Sequence, residues 1–425
     1  MKRYLFILFL FSNFLLTAQT FTLEECQQLA RNNYPVIQQR GLIDKLADYT
    51  VANARKNWLP QLSVALQATY QTDVMAFPDE LVSMFPLDFD GLRKDQYKAS
   101  VQIEQAIYEG GAVKAQVDRA KAEKEVSMQS WEVEMYALQE RVNQLYFGTL
   151  LLQEKRDEVD ILIGELERNE RLVQSYVTNG VAGQNDLDLI RVEILSARQQ
   201  RSDLEASQKA YRTMLGIMIN KEFTAATTLA KPAMPSLHPQ LSIERPELRY
   251  FDAQDRYLLS QQQGVNAQVR PRIGVFLQGA YANPGLNLFA DMMENQWSPY
   301  LMGGIKFQWN ISGYYTRKND LSKIETGRMQ LASQRETFLY NMNLKKTQES
   351  LAVERMQKVM REDDEIIRLR QAVRERTEVQ VENGSRTVSD LLREMHAESL
   401  ARQSKATHEI ELLKNMYELK FTVNQ

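Results

Sequence analysis

Gln61-Leu-Ser-Val-Ala-Leu-Gln-Ala-Thr-Tyr70 and Arg272-Ile-Gly-Val-Phe-Leu-Gln-Gly-Ala-Tyr281 read as one strand written twice, 211 residues apart. In the first, Leu62, Val64, Leu66, Ala68 and Tyr70 share a face, while Gln61, Ser63, Gln67, Thr69 and Gln71 take the other. In the second, Ile273, Val275, Leu277 and Tyr281 keep the alternation. Each has a partner downstream. Val101, Ile103 and Ile107 oppose Ser100, Gln102 and Glu104, and Leu301, Ile305, Phe307 and Trp309 oppose Lys306, Gln308 and Asn310. The pattern predicts four two-faced strands, at about 61–71, 99–108, 272–281 and 300–310. About ten residues is what a tilted strand needs to cross a bilayer. Trp58, Tyr70, Tyr97, Tyr108, Tyr281, Tyr300 and Trp309 bracket the runs as an aromatic belt at the two interfaces. Pro60 and Pro271 stand just ahead of strands, where a missing N–H costs least. Taken alone, any one of these strands also fits the edge of a soluble sandwich.

Four strands cannot close a barrel, because transmembrane barrels need about eight or more and lipid offers no partner to an open edge. Closure requires further copies, and three would give twelve strands and a lumen.

The duplication extends through the whole chain. Pro35 and Pro60 are 25 apart, as are Pro246 and Pro271. Gln105–Gly111 matches Gln308–Tyr314 at a shift of 203, and Asn179-Gly180 with Asp186-Leu187 matches Asn383-Gly384 with Asp390-Leu391 at a shift of 204. These landmarks define a first repeat at 20–230, a proline-rich linker at 231–240 and a second repeat at 241–425.

Long helix fills the remainder. No proline stands between Gly111 and Val177, and only Gly148 and Gly164 interrupt good helix formers. One helix of about 65 residues is expected there, roughly 100 Å long. After the turn at Asn179–Gln184, a seam at Leu187, Ile190, Ile194, Ala197, Leu204, Tyr211, Leu215 and Met218 predicts a return helix packed on a neighbour. A helix from Glu24 to Asn57 is expected to stack on it, so that each repeat supplies two rods of one length. The second repeat does the same with 314–381, 241–268 and 388–421. Asn-Gly at both turns suits positive φ and places both helix tips at the end away from the strands.

Composition narrows the function. A net charge of −3 gives no overall cationic field for nucleic acid, and one Cys with three His offers no cluster for a metal cofactor. His238, His396 and His408 are scattered without a catalytic constellation, so no enzyme and no cofactor are expected. Lys2, Arg3, the apolar run Tyr4–Leu16 and small Thr17-Ala18 have the order of a secretory signal over residues 1–19. Its removal takes the charge from −3 to −5. Cys26 reads as a small buried apolar residue on the first helix. The loops at 71–98 and 282–299 fall on the strand side away from the helices, the first carrying Asp79, Glu80, Asp88 and Asp90.

A signal segment, the opening Phe21-Thr22-Leu23-Glu24-Glu25 and two helix–strand–strand–long helix–turn–helix halves resemble the TolC-type outer-membrane efflux protein family. The most specific stretch is Asn383-Gly-Ser-Arg-Thr-Val-Ser-Asp-Leu-Leu392, similar to that family's Gly-x-Arg-Thr-x-x-Asp-Val-Leu hairpin tip. Gly180-Val-Ala-Gly-Gln-Asn-Asp186-Leu187 resembles the sister tip less fully. The resemblance implies a mainly α fold with a small β part, assembled as a homotrimer with a twelve-stranded β-barrel in the outer membrane and a twelve-helix α-barrel in the periplasm. It implies a passive exit duct for efflux or type I secretion, partnered by a periplasmic membrane-fusion adaptor and an inner-membrane pump of RND or ABC type. Asn179, Gly180, Val181, Asn383, Gly384, Ser385, Arg386 and Thr387 are the expected adaptor-contacting tips, and Asn185, Asp186, Arg386, Asp390 and Arg393 the expected constriction.

Two readings stand for the charged tip residues. Arg386 bonds Asp186 or Asn185 across adjacent tips as a latch, or it is a solvated surface group. Asp390 forms a carboxylate ring around a threefold axis, or Asp390 and Asp186 are ordinary acids in a first helical turn. The chain departs from the family pattern at Arg393, where a second acid is common, and at Val381, where a tyrosine is common. An arginine there offsets the carboxylate field or pairs with Asp390. A soluble periplasmic coiled-coil scaffold or adaptor is the competing function, accounting for the helices but not for the strands. A diffusion porin accounts for the strands but not for the helices.

Overall fold

A computed structural model describes residues 19–75, 92–180, 182–224, 226–236 and 242–424. The expected signal segment through residue 18, the loop acids Asp79, Glu80, Asp88 and Asp90, the tip residue Val181 and the linker residues His238 and Pro239 lie outside them.

Chain order is β1 (Thr20–Phe21), α1 (Leu23–Asn33), a 3-10 turn (Pro35–Gln38), α2 (Gln39–Lys56), β2 (Gln61–Tyr70), β3 (Asp95–Tyr108), α3 (Ala112–Thr178), α4 (Gln184–Ile219), β4 (Thr228–Leu229), α5 (Pro246–Gln268), β5 (Arg272–Asn283), α6 (Leu288–Glu294), β6 (Ser298–Gln308), α7 (Gly313–Glu382) and α8 (Val388–Val423). The fold is mainly helical with a small sheet part, and the two halves recur element by element. Both return helices, α4 and α8, have 36 residues, and both end on an asparagine with positive φ, Asn220 at 52° and Asn424 at 59°.

Three expectations are corrected. The helix anticipated over Glu24–Asn57 is broken, because Pro35 lacks the N–H needed to continue the ladder; Tyr34 turns extended and a short 3-10 segment restarts the chain. β6 begins at Ser298 and ends at Gln308, two residues ahead of the expected bounds, and β3 begins at Asp95. The short pair β1–β4 and the helix α6 were not legible in the alternation.

The chain divides into two units. One contains residues 40–130 and 249–335 within the described segments. Its sheet runs β2-β3-β5-β6, every neighbour antiparallel, with β2 and β6 at the edges. Register sorts the side chains into two faces. Leu62, Ile103 and Leu277 form one apolar row, and Val64, Val101, Gly279 and Leu301 the next. The opposite face carries Ser63, Gln102 and Gln278, then Gln61 and Glu104. A bulge between Ala106 and Tyr108 places Tyr108 opposite Ile273, on the apolar face, and leaves Ile107 as the extra residue.

Of the expected belt residues in the strands, Tyr70, Tyr97, Tyr108 and Tyr281 fall on the apolar face, and Tyr300 does not. It pairs with Ala280 on the polar face, where the Lys98 ammonium lies 5.7 Å from its ring. Trp297 stacks beside the apolar-face aromatics instead, its ring 5.1 Å from that of Tyr281 and 6.0 Å from that of Tyr97. Tyr97 and Tyr108 are separated by ten ladder steps, Asn283 to Ile273 on the partner strand. At about 3.3 Å per residue these span about 33 Å along the strand.

The other unit contains residues 19–39, 131–248 and 336–424 within the described segments. Thr22 opens α1 with a capping box: its hydroxyl accepts from Glu25 N at 3.2 Å and Glu25 accepts from Thr22 N at 2.9 Å. β1 pairs in parallel with β4, and the buried Tyr146 hydroxyl sits 2.9 Å from the Phe21 carbonyl and 2.5 Å from that of Ala230, tying both strands to α3. Gly148 is required by close packing, because a Cβ there would strike the Tyr211 ring of α4. Cys26 is fully buried, and burial, aided by Glu25 and Glu24, pushes its thiol up to about 12, as suits an inert apolar filler. α3 meets α8 through Tyr136 and Phe421, stacked at 4.3 Å, and through Phe147 and Tyr417 at 5.5 Å. The Arg245 guanidinium lies 4.9 Å from both rings of the first pair and ion-pairs with Glu247.

Candidate functional site

The two hairpin tips are built alike. α3 ends at Thr178, Gly180 adopts φ +69° and α4 begins at Gln184; α7 ends at Glu382, Gly384 adopts φ +71° and α8 begins at Val388. Only glycine takes such a φ without cost, and here it lets the chain reverse within a few residues. Asn179 and Asn383 donate back to the carbonyls of Ser175 and Val379 at 2.9 and 2.8 Å. Ser385 N and Ser385 Oγ both donate to the Gln380 carbonyl at 2.9 Å, closing the last turn of α7.

Each tip aspartate caps its own helix. Gly183 N donates to Asp186 Oδ2 at 3.1 Å. Thr387 N and its hydroxyl donate to Asp390 Oδ2 at 3.2 and 2.9 Å, and Asp390 N donates back to Thr387 Oγ1 at 3.2 Å. Arg393 Nη2 lies 2.9 Å from Asp390 Oδ1, and Arg386 Nη1 lies 3.9 Å from the same oxygen. These donors, the Thr387 hydroxyl and backbone first and then Arg393 and Arg386, hold the Asp390 carboxyl below its ordinary range. The structure thus brings Arg386, Thr387, Asp390 and Arg393 together. Within one chain it does not join Arg386 to Asp186 or Asn185; Arg386, in the tip turn just ahead of the Thr387 cap, instead lies near Asp390 in the first turn of α8. Arg393 pairs with Asp390 as one of its two expected roles required.

Beneath the tips lies a shared apolar cluster. Leu166 and Val173 of α3, Leu187, Ile190 and Ile194 of α4, and Val388, Leu391, Leu392 and Met395 of α8 pack together. His396 Nε2 on α8 sits 2.7 Å from Glu193 Oε2 on α4, linking the two hairpins. Further up, Glu398 is a buried carboxylate clamped by Arg374 Nε of α7 at 2.6 Å and Arg402 Nη2 at 2.7 Å. Neither was recognised in the sequence. The Glu398/Arg402 spacing of four is a legible helical pair, whereas the contacts of His396 and Arg374 depend on which helix lies alongside.

On the sheet unit, the polar face carries a side-chain network. Gln278 Nε2 donates to Gln102 Oε1 at 3.1 Å, Gln102 Nε2 donates to Glu104 Oε1 at 2.6 Å, and Lys306 Nζ lies 3.3 Å from the same Glu104 oxygen. The apolar face is bare, with Leu66 82% and Ile305 76% exposed. Among the described residues no helix is long and apolar enough to cross a membrane.

Comparison with known proteins gives a consistent picture. The sequence model of the family described as outer membrane efflux protein matches residues 27–219. No functionally curated protein matches the chain. Among solved structures, CusC, known from structures of its folding and transmembrane channel formation, superposes with a TM-score of 0.72 at 11% identity, covering 94% of this chain and 91% of that one. The outer membrane protein VceC of Vibrio cholerae gives 0.68 at 13% identity, covering 94% of each chain. The open-state outer membrane channel MtrE of Neisseria gonorrhoeae gives 0.68 at 14% identity, covering 94% and 88%. At these identities the likeness speaks for the fold.

Proposed function

We infer that this chain, a TolC-type outer membrane efflux protein by the match across its first repeat and by a fold shared along nearly its whole length, is the outer-membrane channel component of an efflux assembly. The observation that carries this reading is the two-faced sheet with two open edges. Its apolar face is exposed on a single chain, a patch that a water-soluble scaffold would not tolerate. Its edge strands β2 and β6 find no strand partner on their outer sides among the described residues, which is prohibitive in lipid.

Further copies supply the closure. The strands alternate in direction across the sheet, so β2 and β6 run oppositely and β6 of one copy continues the antiparallel pattern onto β2 of the next. Three copies close a twelve-stranded barrel with the face of Gln102, Glu104, Gln278 and Lys306 turned to a polar lumen and the apolar face to lipid. The helical hairpins extend the duct through the periplasm. Their tips, from Asn179 to Gly180 and from Asn383 to Thr387, meet a membrane-fusion adaptor, and an inner-membrane pump of RND or ABC type drives the cargo. Asn185, Asp186, Arg386, Asp390 and Arg393 form the constriction, with Arg393 reducing the carboxylate field.

The test is extraction, mass and conductance together. The protein should leave the membrane fraction only with detergent, show the mass of three chains in native mass spectrometry, and give discrete conductance steps in planar bilayers. A monomer released by salt alone would refute the reading.

A further inference from the structure

The connection between β5 and β6 is folded with its polarity inverted. Polar groups turn inward: Asp291 and Asn283 are both buried. Gly285 N donates to Asp291 Oδ2 at 2.6 Å, and Asn283 Nδ2 donates to the Asn295 carbonyl at 3.3 Å. Asn287 caps the start of α6, its side chain accepting from Ala290 N at 3.3 Å, and Asn295 closes the other end by donating to the Asp291 carbonyl at 2.9 Å. A Cβ on Gly285 would strike Ser298, so the connection also packs closely on the first residue of β6. The large apolar groups turn outward. Phe289 and Met293, four apart on one face of α6, are 64% and 45% exposed, and Leu286 and Trp297, just beyond its two ends, are 57% and 43% exposed. A loop bathed in water has the reverse arrangement, with acids outside and large apolar side chains inside. Such a grouped apolar surface marks a contact with something other than water.

Its place in the fold identifies the contact. β3 runs into α3 after Tyr108 and β5 follows α5 at Arg272, whereas Asn283, at the other end of β5, leads into α6. The connection therefore sits at the sheet end opposite those helices. Trp297 fixes the side. Its ring stacks 5.1 Å from Tyr281 and 6.0 Å from Tyr97, and both tyrosines are exposed on the apolar face. The α6 patch thus continues the face of Leu277 and Val101, not the face of Gln102, Glu104 and Gln278.

We propose that α6 and its flanks form an interfacial anchor, with Leu286, Phe289, Met293 and Trp297 seated at the boundary between lipid headgroups and acyl chains in the leaflet that borders this end of the sheet. This deepens the barrel reading above and rests on it. The occupant is lipid, because the patch is continuous, through the Trp297 stack, with the face that the barrel gives to lipid. A short capped helix lying in the membrane plane keeps its backbone bonds internal while burying one face. The anchor joins the tyrosines of the belt and sets how deep the barrel sits.

Nitroxide labels on single cysteines test it, in the full-length protein with Cys26→Ser as background, reconstituted into vesicles of phosphatidylethanolamine and phosphatidylglycerol. The readout is accessibility to oxygen, which concentrates among acyl chains, against accessibility to a water-soluble nickel chelate. Leu277→Cys and Gln278→Cys report the two faces of the sheet. Labels at Phe289→Cys and Met293→Cys should favour oxygen, as the Leu277 label does, while the Gln278 label favours the chelate. If the Leu277 label favours oxygen and the two α6 labels favour the chelate, the anchor is overturned and the barrel stands. Exclusion of both reagents from both α6 labels would put protein on the patch and overturns the anchor equally. If the Leu277 label favours the chelate as strongly as the Gln278 label, the barrel reading falls and the anchor with it.

Discussion

Replacing Glu398 by Gln isolates the strongest electrostatic contact of the helical unit. The Glu398 side chain is 3% exposed and receives Arg374 Nε at 2.6 Å and Arg402 Nε and Nη2 at 3.0 and 2.7 Å. Removing one member of a buried ion pair costs about 3–5 kcal/mol, because its partner stays desolvated and unmatched. Here relief is partial: Arg374 keeps Glu378 at 3.0 Å, and the Arg402 side chain is 35% exposed and reaches water. The lower end, about 3 kcal/mol, is the expected loss. At about 1.4 kcal/mol per tenfold, local opening of α7 from α8 should become roughly a hundredfold more frequent. Hydrogen exchange followed by mass spectrometry reads this directly, on peptides covering residues 370–402 with the α3–α4 peptides around Gly148 as an internal reference. A second variant, Arg374→Met with Glu398→Met and Arg402→Met, should recover most of the protection, since an apolar replacement leaves no orphan charge. Protection in Glu398→Gln within about threefold of the parent would show that the clamp contributes nothing and that packing alone joins the two helices.

Three further outcomes are expected. The Asp390 carboxyl has its pKa in the fold below its unfolded value, so its stabilisation is complete above the unfolded value near pH 4 and disappears as pH falls through the folded one; exchange protection at the α8 tip should be flat from pH 8 to about 5, drop below about 4, and lose that drop in Asp390→Asn relative to the parent. Gly384→Ala should destabilise the second tip by about 1 kcal/mol through its φ of +71° alone, since nothing lies within 4 Å of the added Cβ, and Gly384→Asn should cost less, both read from tip exchange rates. Trp131→Phe removes the indole donor 2.8 Å from the Val36 carbonyl in the 3-10 turn after Pro35 and should cost about 1–3 kcal/mol, measured as a lowered urea midpoint for proteolysis between α1 and α2.

What the sequence made legible follows from which forces are local. The two-residue period of Leu62, Val64 and Leu66 needs no knowledge of a partner, so the strands and their two faces could be read directly. The same holds for the helix between Gly111 and Thr178, where nothing breaks the run until the tip glycine. Tyr300 brackets its strand as an aromatic, but its parity against Leu301 puts it on the polar face; Trp297 has the apolar parity but lies ahead of the strand. The bulge before Tyr108 shifts parity midway along β3, which the alternation alone does not announce. Pro35 was visible, yet its effect was underestimated because good helix formers resume four residues after it, at Gln39. The contact of Arg386 within one chain was not legible for a different reason. A residue four places along the chain competes with any residue across a gap, and the Thr387 cap already holds the Asp390 carboxylate within reach of the tip turn that carries Arg386.

That last point changes where the resistance to opening lies. Each tip satisfies its own backbone: Asp186 and Asp390 take the N–H groups of their own caps, and the Gln380 carbonyl is filled from within its own turn. Drawing one hairpin away from the other therefore strands no peptide group. Nor does it separate Asp390 from its arginines, which travel with it on one hairpin. What does resist within a chain is the cluster of Leu187, Ile190, Leu391 and Met395, together with the His396–Glu193 contact. The latter pair is half-exposed, and such contacts contribute about 0–1 kcal/mol, whereas each buried Leu or Ile withdrawn into water costs about 1.5–3 kcal/mol. On the proposed reading, then, the closed duct is held by apolar area with a charged rim, not by a charged latch. Screening the rim with salt should leave it closed, and only a partner able to cover Leu187 and Leu391 as they part has the free energy to hold it open.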